Sequence, residues 1–174
     1  MGTTMYKYAY AYRTEQDGDE VFFRFPQLPE IISTVPLEQF RAMSAEAIQA
    51  FATDAVLTAL QTRISGRLEI PSGDNQELIL RADGFVNLSI QQSLKIELFD
   101  VYKQNCKTIV EFSRRLGKKE TAARRLLNLH HQSWVTEIEA AMASFGRRIL
   151  PTWHIESGLA HGSPPKQASM AAHR

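Results

Sequence analysis

Residues 108–146 read TIVEFSRRLGKKETAARRLLNLHHQSWVTEIEAAMASFG, and the spacing of apolar residues in this stretch decides how the chain is organised. Ile109, Phe112 and Leu116 recur at helical intervals, so they predict one amphipathic helix. Thr108 is a good N-cap for it, with Glu111 three residues on to complete a capping box. Gly117 is the stop, as a residue that tolerates a left-handed backbone just past a helix. After two lysines, a second short helix is predicted over 120–129, with Ala122, Ala123, Leu126 and Leu127 as its apolar side. A third follows, with Trp134, Ile138, Met142 and Phe145 on one stripe that can close a small core. Helix, tight glycine turn, helix is the layout of a helix-turn-helix.

The polar residues suggest what such a unit does. Once the apolar side of the second helix turns inward, Glu120, Thr121, Arg124 and Arg125 remain outward. A helix of this kind can lie in a major groove and present side chains to base edges. Aligned on Gly117, Glu120 and Thr121 open the helix, and Arg124, one turn on, is the candidate for pairing with guanine. Lys118, Lys119 and Arg125 are placed to contact phosphate, flanked by Arg114 and Arg115, and Thr108 is a further DNA-binding candidate. The same residues are also compatible with a solvated basic face on an ordinary helical hairpin.

Charge distribution favours the polyanion reading. The net charge of +1 conceals an asymmetry: residues 1–106 carry 9 Lys/Arg and 14 Asp/Glu, whereas residues 107–148 carry 9 Lys/Arg and 4 Asp/Glu. An acidic segment joined to a basic one implies two surfaces with two partners. The basic one suits nucleic acid. The acidic one suits a basic partner, or serves solubility.

Upstream, residues 4–13 alternate as a strand, with Tyr6, Tyr8, Tyr10 and Tyr12 on one face. A tyrosine row can stack bases; in a strand it more often packs a sheet face. Residues 16–19 form a turn, and residues 21–25 return as the second strand of a hairpin. Pro26 and Pro29 break the ladder, and residues 31–35 form a third strand ended by Pro36. A short helix is predicted over 37–43. Ser44 then caps a long one, whose stripe from Ile48 to Ile64 must bury against the sheet. Gly66 ends it, a loop follows, and residues 78–80 and 85–90 are short strand candidates. Leu94, Leu98, Val101 and Tyr102 mark a helix leading into the basic segment. The expected class is α+β: a βββ-α-β-α domain over 1–92, a connecting helix over 93–106, and an all-α helix-turn-helix domain over 107–150. The Gly-, Ser- and Pro-containing stretch 158–174 is expected to lack fixed structure.

Several functions find no support. One cysteine, Cys106, makes no internal disulfide, and the scattered histidines argue against zinc. Asp17, Asp19, Asp54, Asp74 and Asp83 mostly fall at turns, where aspartate is favoured for backbone reasons rather than for holding a catalytic metal. His130-His131 can contact phosphate when protonated, or simply end the helix. No catalytic set, metal or cofactor is expected. No apolar run approaches the roughly 18 residues of a membrane span, and no signal-like stretch opens the sequence, so the expected compartment is the cytoplasm.

Two portions of the chain resemble the HicB antitoxins of bacterial type II toxin–antitoxin systems. One is the hairpin with Tyr8, Asp17-Gly18 and Phe23, then the run FPQLPE at 25–30 and an alanine-rich helix. The other is IELFDVY at 96–102 followed by the helical segment through Gly146. The resemblance implies a reduced ribonuclease H-like N-terminal domain without its catalytic carboxylates. That domain would bind a small basic HicA-type toxin that cleaves mRNA, and the C-terminal domain would repress the operon by binding double-stranded operator DNA as a homodimer or tetramer. The family divides between helix-turn-helix and ribbon-helix-helix C-termini; the helical pattern after Cys106 selects the former. Acidic and aromatic residues of the first hairpin, Asp17, Asp19, Glu20 and Phe23, are the candidates for toxin contact. Two other functions stay open on the residues: a stand-alone transcription regulator that senses a ligand or dimerises, and a residual nuclease.

Overall fold

The computed structural model describes residues 7–73 and 81–149. Four antiparallel strands form one sheet in the order β3-β2-β1-β4: β1 Ala9–Asp17, β2 Glu20–Arg24, β3 Ser33–Pro36 and β4 Gly84–Asn87. Helices α1 (Leu37–Ala42) and α2 (Ala45–Ser65) lie between β3 and β4 in sequence. Among the described residues four more helices follow: α3 (Ile90–Asn105), α4 (Ile109–Arg115), α5 (Glu120–Leu127) and α6 (Val135–Ala143). The layout is mixed α+β.

The hairpin is tighter than the sequence suggested. β1 runs on to Asp17, opposite Glu20, and leaves a two-residue turn at Gly18-Asp19. Such a turn matches strand twist only with a positive φ, and Gly18 supplies it at φ 58°. Tyr10 and Tyr12 are buried, as a packed tyrosine face requires; Tyr8 is half-buried. Residues 4–6 and the strand candidate at 78–80 lie outside the described residues, as does 158–174. The third strand begins two residues later than its apolar run, because Ile31 turns into the core while Ile32 points outward.

α2 holds the sheet's inner face. Ala52, Val56, Leu60 and Ile64 recur every four residues and are buried, with Leu57 beside them. Ser44 caps the helix through an Ala47 N–H···Oγ bond of 3.2 Å. Phe23 packs its ring 4.9 Å from Phe51 on α2 and 5.7 Å from Tyr12. Burying an aromatic side chain of this kind contributes roughly 1.5–3 kcal/mol.

Residues 88–90 correct the expected strand. Ser89 accepts from the Gln92 N–H at 3.2 Å, and the Gln92 side chain accepts from the Ser89 N–H at 2.9 Å, a complete capping box. The chain therefore leaves the sheet after Asn87 and starts α3 at Ile90, which is exposed. α3 packs against both α5 and α6. Tyr102 of α3 sits 4.8 Å from Phe112 of α4, and Phe112 stacks on Phe145 at 5.8 Å. Ala123, Leu126, Ile138 and Met142 complete this end of the core.

Trp134 does not belong to the α6 stripe. It is 79 % exposed and stands at the helix N-cap, while Ile138, Ala141 and Met142 face inward. At a helix boundary the backbone is not yet helical, so spacing from Ile138 does not fix the direction of the ring.

Candidate nucleic-acid interface

α4 and α5 position the basic side chains. The Thr108 hydroxyl accepts from the Glu111 N–H at 3.2 Å. The expected reciprocal arm closes one residue earlier: Glu111 Oε2 accepts from the Lys107 N–H at 2.6 Å. Thr108 is exposed, but its side-chain oxygen is thus already engaged as the cap. Gly117 takes φ 62°, and the N–H groups of Gly117 and Lys118 bond the carbonyls of Arg114 and Ser113 at 3.0 Å each. This pattern satisfies the last carbonyls of α4 and turns the chain sharply. Lys119 becomes the N-cap of α5, with no side-chain bond to the helix.

α5 separates its faces cleanly. Ala123, Leu126 and Leu127 are buried; Thr121, Arg124 and Arg125 are exposed. The spacing of Thr121, Arg124 and Arg125 places them on one face of the helix. Glu120, at the helix start, is half-buried and lies 3.4 Å from the Arg124 guanidinium, an i,i+4 pair. Lys118 and Lys119 are exposed in the turn beside this face. Arg115, on α4, lies over the Phe145 ring at 4.8 Å. The first turn of α5 leaves backbone N–H groups outside the helical ladder, a setting that favours an anion. Chemically the arrangement can bind polyanion oxygens and offer one guanidinium, held by a neighbouring carboxylate, to a planar acceptor edge.

At the far end of α5 the sequence points to His130-His131 and does not single out Lys95. Lys95 of α3 is only 1 % exposed. Its Nζ donates to the carbonyls of Arg125 at 3.2 Å and Asn128 at 2.6 Å, and to that of His131. Burial pushes this ammonium down to about 8, with Glu137 acting in the opposite sense. A charged residue in line with Leu98, Phe99 and Tyr102 on the apolar stripe of α3 was the signal available.

On the sheet, Asp17, Asp19 and Glu20 are all exposed at the β1–β2 turn. Phe23 is not with them at the surface. It is 1 % exposed, because β2 alternates and places Val21 and Phe23 on the core side. Arg24 pairs with Glu15 at 3.2 Å across the hairpin. Asp83, one of the scattered aspartates, accepts from the Thr14 N–H at 2.7 Å and its hydroxyl at 2.9 Å, which ties β1 to the loop before β4. In the FPQLPE run, Glu30 takes a two-point contact from Arg63 of α2, at 2.5 and 3.0 Å. That guanidinium holds the Glu30 carboxyl below the usual range. No described helix is long and apolar enough to cross a membrane.

No protein-family model matches the chain. It is similar to three proteins named Antitoxin HicB. The one from Pseudomonas fluorescens (strain Pf0-1) is 28 % identical over 149 residues, covering 86 % of this chain and 94 % of that protein. Those from Escherichia coli strains K12 and O157:H7 are each 30 % identical over 107 residues, covering 60 % of this chain and 73 % of theirs.

Proposed function

The chain belongs to the HicB antitoxin family, and we propose that it works through two surfaces. The sheet end neutralises a small basic toxin of HicA type, which cleaves mRNA. The helical end represses the operon by binding its promoter DNA. The observation that carries the antitoxin reading is the match to relatives of that name along 86 % of the chain. The DNA reading is supported by α5, which buries Ala123, Leu126 and Leu127 and leaves Thr121, Arg124 and Arg125 outward beside Lys118 and Lys119.

The division of labour follows from charge. The exposed carboxylates Asp17, Asp19 and Glu20 cluster on one hairpin and suit a basic protein. In the helical segment, α4–α5 act as a helix-turn-helix: α5 enters the major groove, Arg124 reads a base edge, and Lys118, Lys119 and Arg125 contact phosphate. Thr108 caps α4, and any phosphate contact from it uses the hydroxyl hydrogen. Two copies reading a palindrome make the working unit at least a dimer. Both jobs are binding, and neither calls for a catalytic group, a metal or a cofactor. The place of work is the cytoplasm, where the promoter and the message are.

The test is co-expression with the small basic reading frame adjacent to the gene. On this reading that frame alone arrests growth, the full chain restores growth, and the two co-purify. A harmless or non-binding neighbour overturns the antitoxin reading and leaves a DNA-binding regulator. Metal-dependent RNA cleavage by the purified chain, lost on changing Asp17 or Asp83, points instead to a nuclease.

A further inference from the structure

In the loop after α5 the Asn128 side chain accepts from the His130 N–H at 2.9 Å, and the Asn128 carbonyl accepts from the His131 N–H at 3.2 Å. Residues 128–134 join α5 to α6, and three side chains from outside the α4–α6 trio also hold that loop. Lys95 of α3 donates to the carbonyls of Arg125, Asn128 and His131. Gln61 of α2 accepts from the Leu129 N–H at 2.8 Å. Gln91 of α3 donates to the Ser133 carbonyl at 2.5 Å. Three carbonyl acceptors match an ammonium, which has three N–H groups; a neutral amine has two. A cation at a helix C-terminus also meets the negative end of the helix dipole. Burying a lysine at 1 % exposure is costly, and a helix needed only as a solvated surface has no use for it.

We propose that Lys95, with Gln61, is a positioning clasp for DNA recognition. It fixes the C-terminal end of α5 against α3 and α2, and so sets the angle at which Arg124 and Arg125 are presented. This rests on the DNA-binding reading above. Lys95 is a positioning residue: it is buried and acts through the backbone of α5, not through contact with a base. A helix anchored only by Ala123, Leu126 and Leu127 can slide or tilt on its apolar face, since apolar contact is non-directional. The three carbonyl bonds remove that freedom.

The experiment compares the full chain with Lys95→Met and Gln61→Leu, below the melting temperature of each. Three quantities are read: affinity for a duplex spanning the region upstream of the gene, co-purification with the adjacent small protein, and hydrogen exchange of amides 126–131. The clasp predicts that Lys95→Met loses roughly tenfold or more in duplex affinity, the loss of charged hydrogen bonds. Exchange at 126–131 speeds up, and co-purification is unchanged. Gln61→Leu shows the same pattern at about threefold, and carries the test if Lys95→Met does not fold. A residue that only adds stability leaves affinity at this temperature untouched, and that result overturns the proposal. Loss of co-purification alongside affinity also overturns it, as general misfolding. If the unaltered chain binds no duplex, the DNA reading fails. Exchange at 126–131 then decides the clasp alone, and unchanged rates refute it.

Discussion

The sheet end and the helical end of this chain are built from the same apolar material and differ in how they hold charge. Each centres on one aromatic residue: Phe23 between Tyr12 and Phe51, and Phe112 between Tyr102 and Phe145. At the sheet end, charged side chains stay in water: Asp17, Asp19 and Glu20 are free on a turn, and Glu30 meets Arg63 at a partly exposed pair. At the helical end, one cation, Lys95, is taken into the core to hold backbone carbonyls, while the arginines and lysines around α5 stay outside. A surface that meets a folded protein can rely on the rigidity of a sheet. On the proposed DNA-binding reading, the helix that meets bases needs its backbone held at both ends; Gly117 turns the chain before α5, and Lys95 bonds a carbonyl at its far end.

The largest expected effect tests whether the ends are separable. Phe23→Ala and Phe112→Ala should each cost about 3–5 kcal/mol. Hydrogen exchange should rise mainly in β1 and β2 for the first, and in α4–α6 for the second. Uniform loss of protection in both would mean a single cooperative unit and would dissolve the comparison.

A different acid–base signature at each end is the next effect. Burial pulls the Lys95 ammonium down from its ordinary 10.5 to about 8 in the folded chain. Between those values the unfolded chain binds the proton and the folded one does not, so stability rises with pH there. Relative to Lys95→Met, the gain should reach about 3 kcal/mol, measured by chemical denaturation across that range. At the sheet end the sign is reversed: Glu30 is held low by Arg63, so its contribution is present above the ordinary carboxylate range and is lost on acidification. Both side chains are partly exposed, so that contribution stays below about 1 kcal/mol.

Within the helical end, Arg124→Ala should cost about 1–3 kcal/mol on the cognate duplex and little on random DNA. Lys119→Ala should weaken both alike and lower the salt slope by about one. Equal losses on both duplexes for both variants would remove the distinction between reading and gripping. Smallest is Ser89→Ala, which breaks the α3 capping box and should cost about 1 kcal/mol in thermal stability.

Much of this architecture was legible because the deciding contacts are local. Ser44 and Thr108 cap helices with their own hydroxyls, Gly18 and Gly117 adopt the left-handed backbone their turns need, and α5 shows its two faces by spacing alone. The misreadings fall where two local signals compete. Phe85, Val86, Leu88 and Ile90 look like a strand, yet the Ser89–Gln92 box starts a helix inside that run. Trp134 stands in register with Ile138 but at a helix boundary, where register means little. Phe23 reads as one aromatic among several on a hairpin; only pairing with β1 and the arrival of α2 show which face is inner. Lys95 stands out in the sequence as a charge on the apolar stripe of α3, but what it holds does not. Its acceptors are backbone carbonyls 30 to 36 residues away, and no residue type marks a carbonyl as waiting for a cation.

The separation of toxin neutralisation from DNA reading on two surfaces of one chain is a proposal. It is tested most directly by growth rescue and promoter repression, scored in the same cells with two multiple variants. One carries Asp17→Lys, Asp19→Lys and Glu20→Lys; the other carries Arg124→Ala and Arg125→Ala. The first should still repress the promoter but fail to rescue growth, and the second should rescue growth but no longer repress. Loss of both activities in either variant, or retention of both, would contradict it.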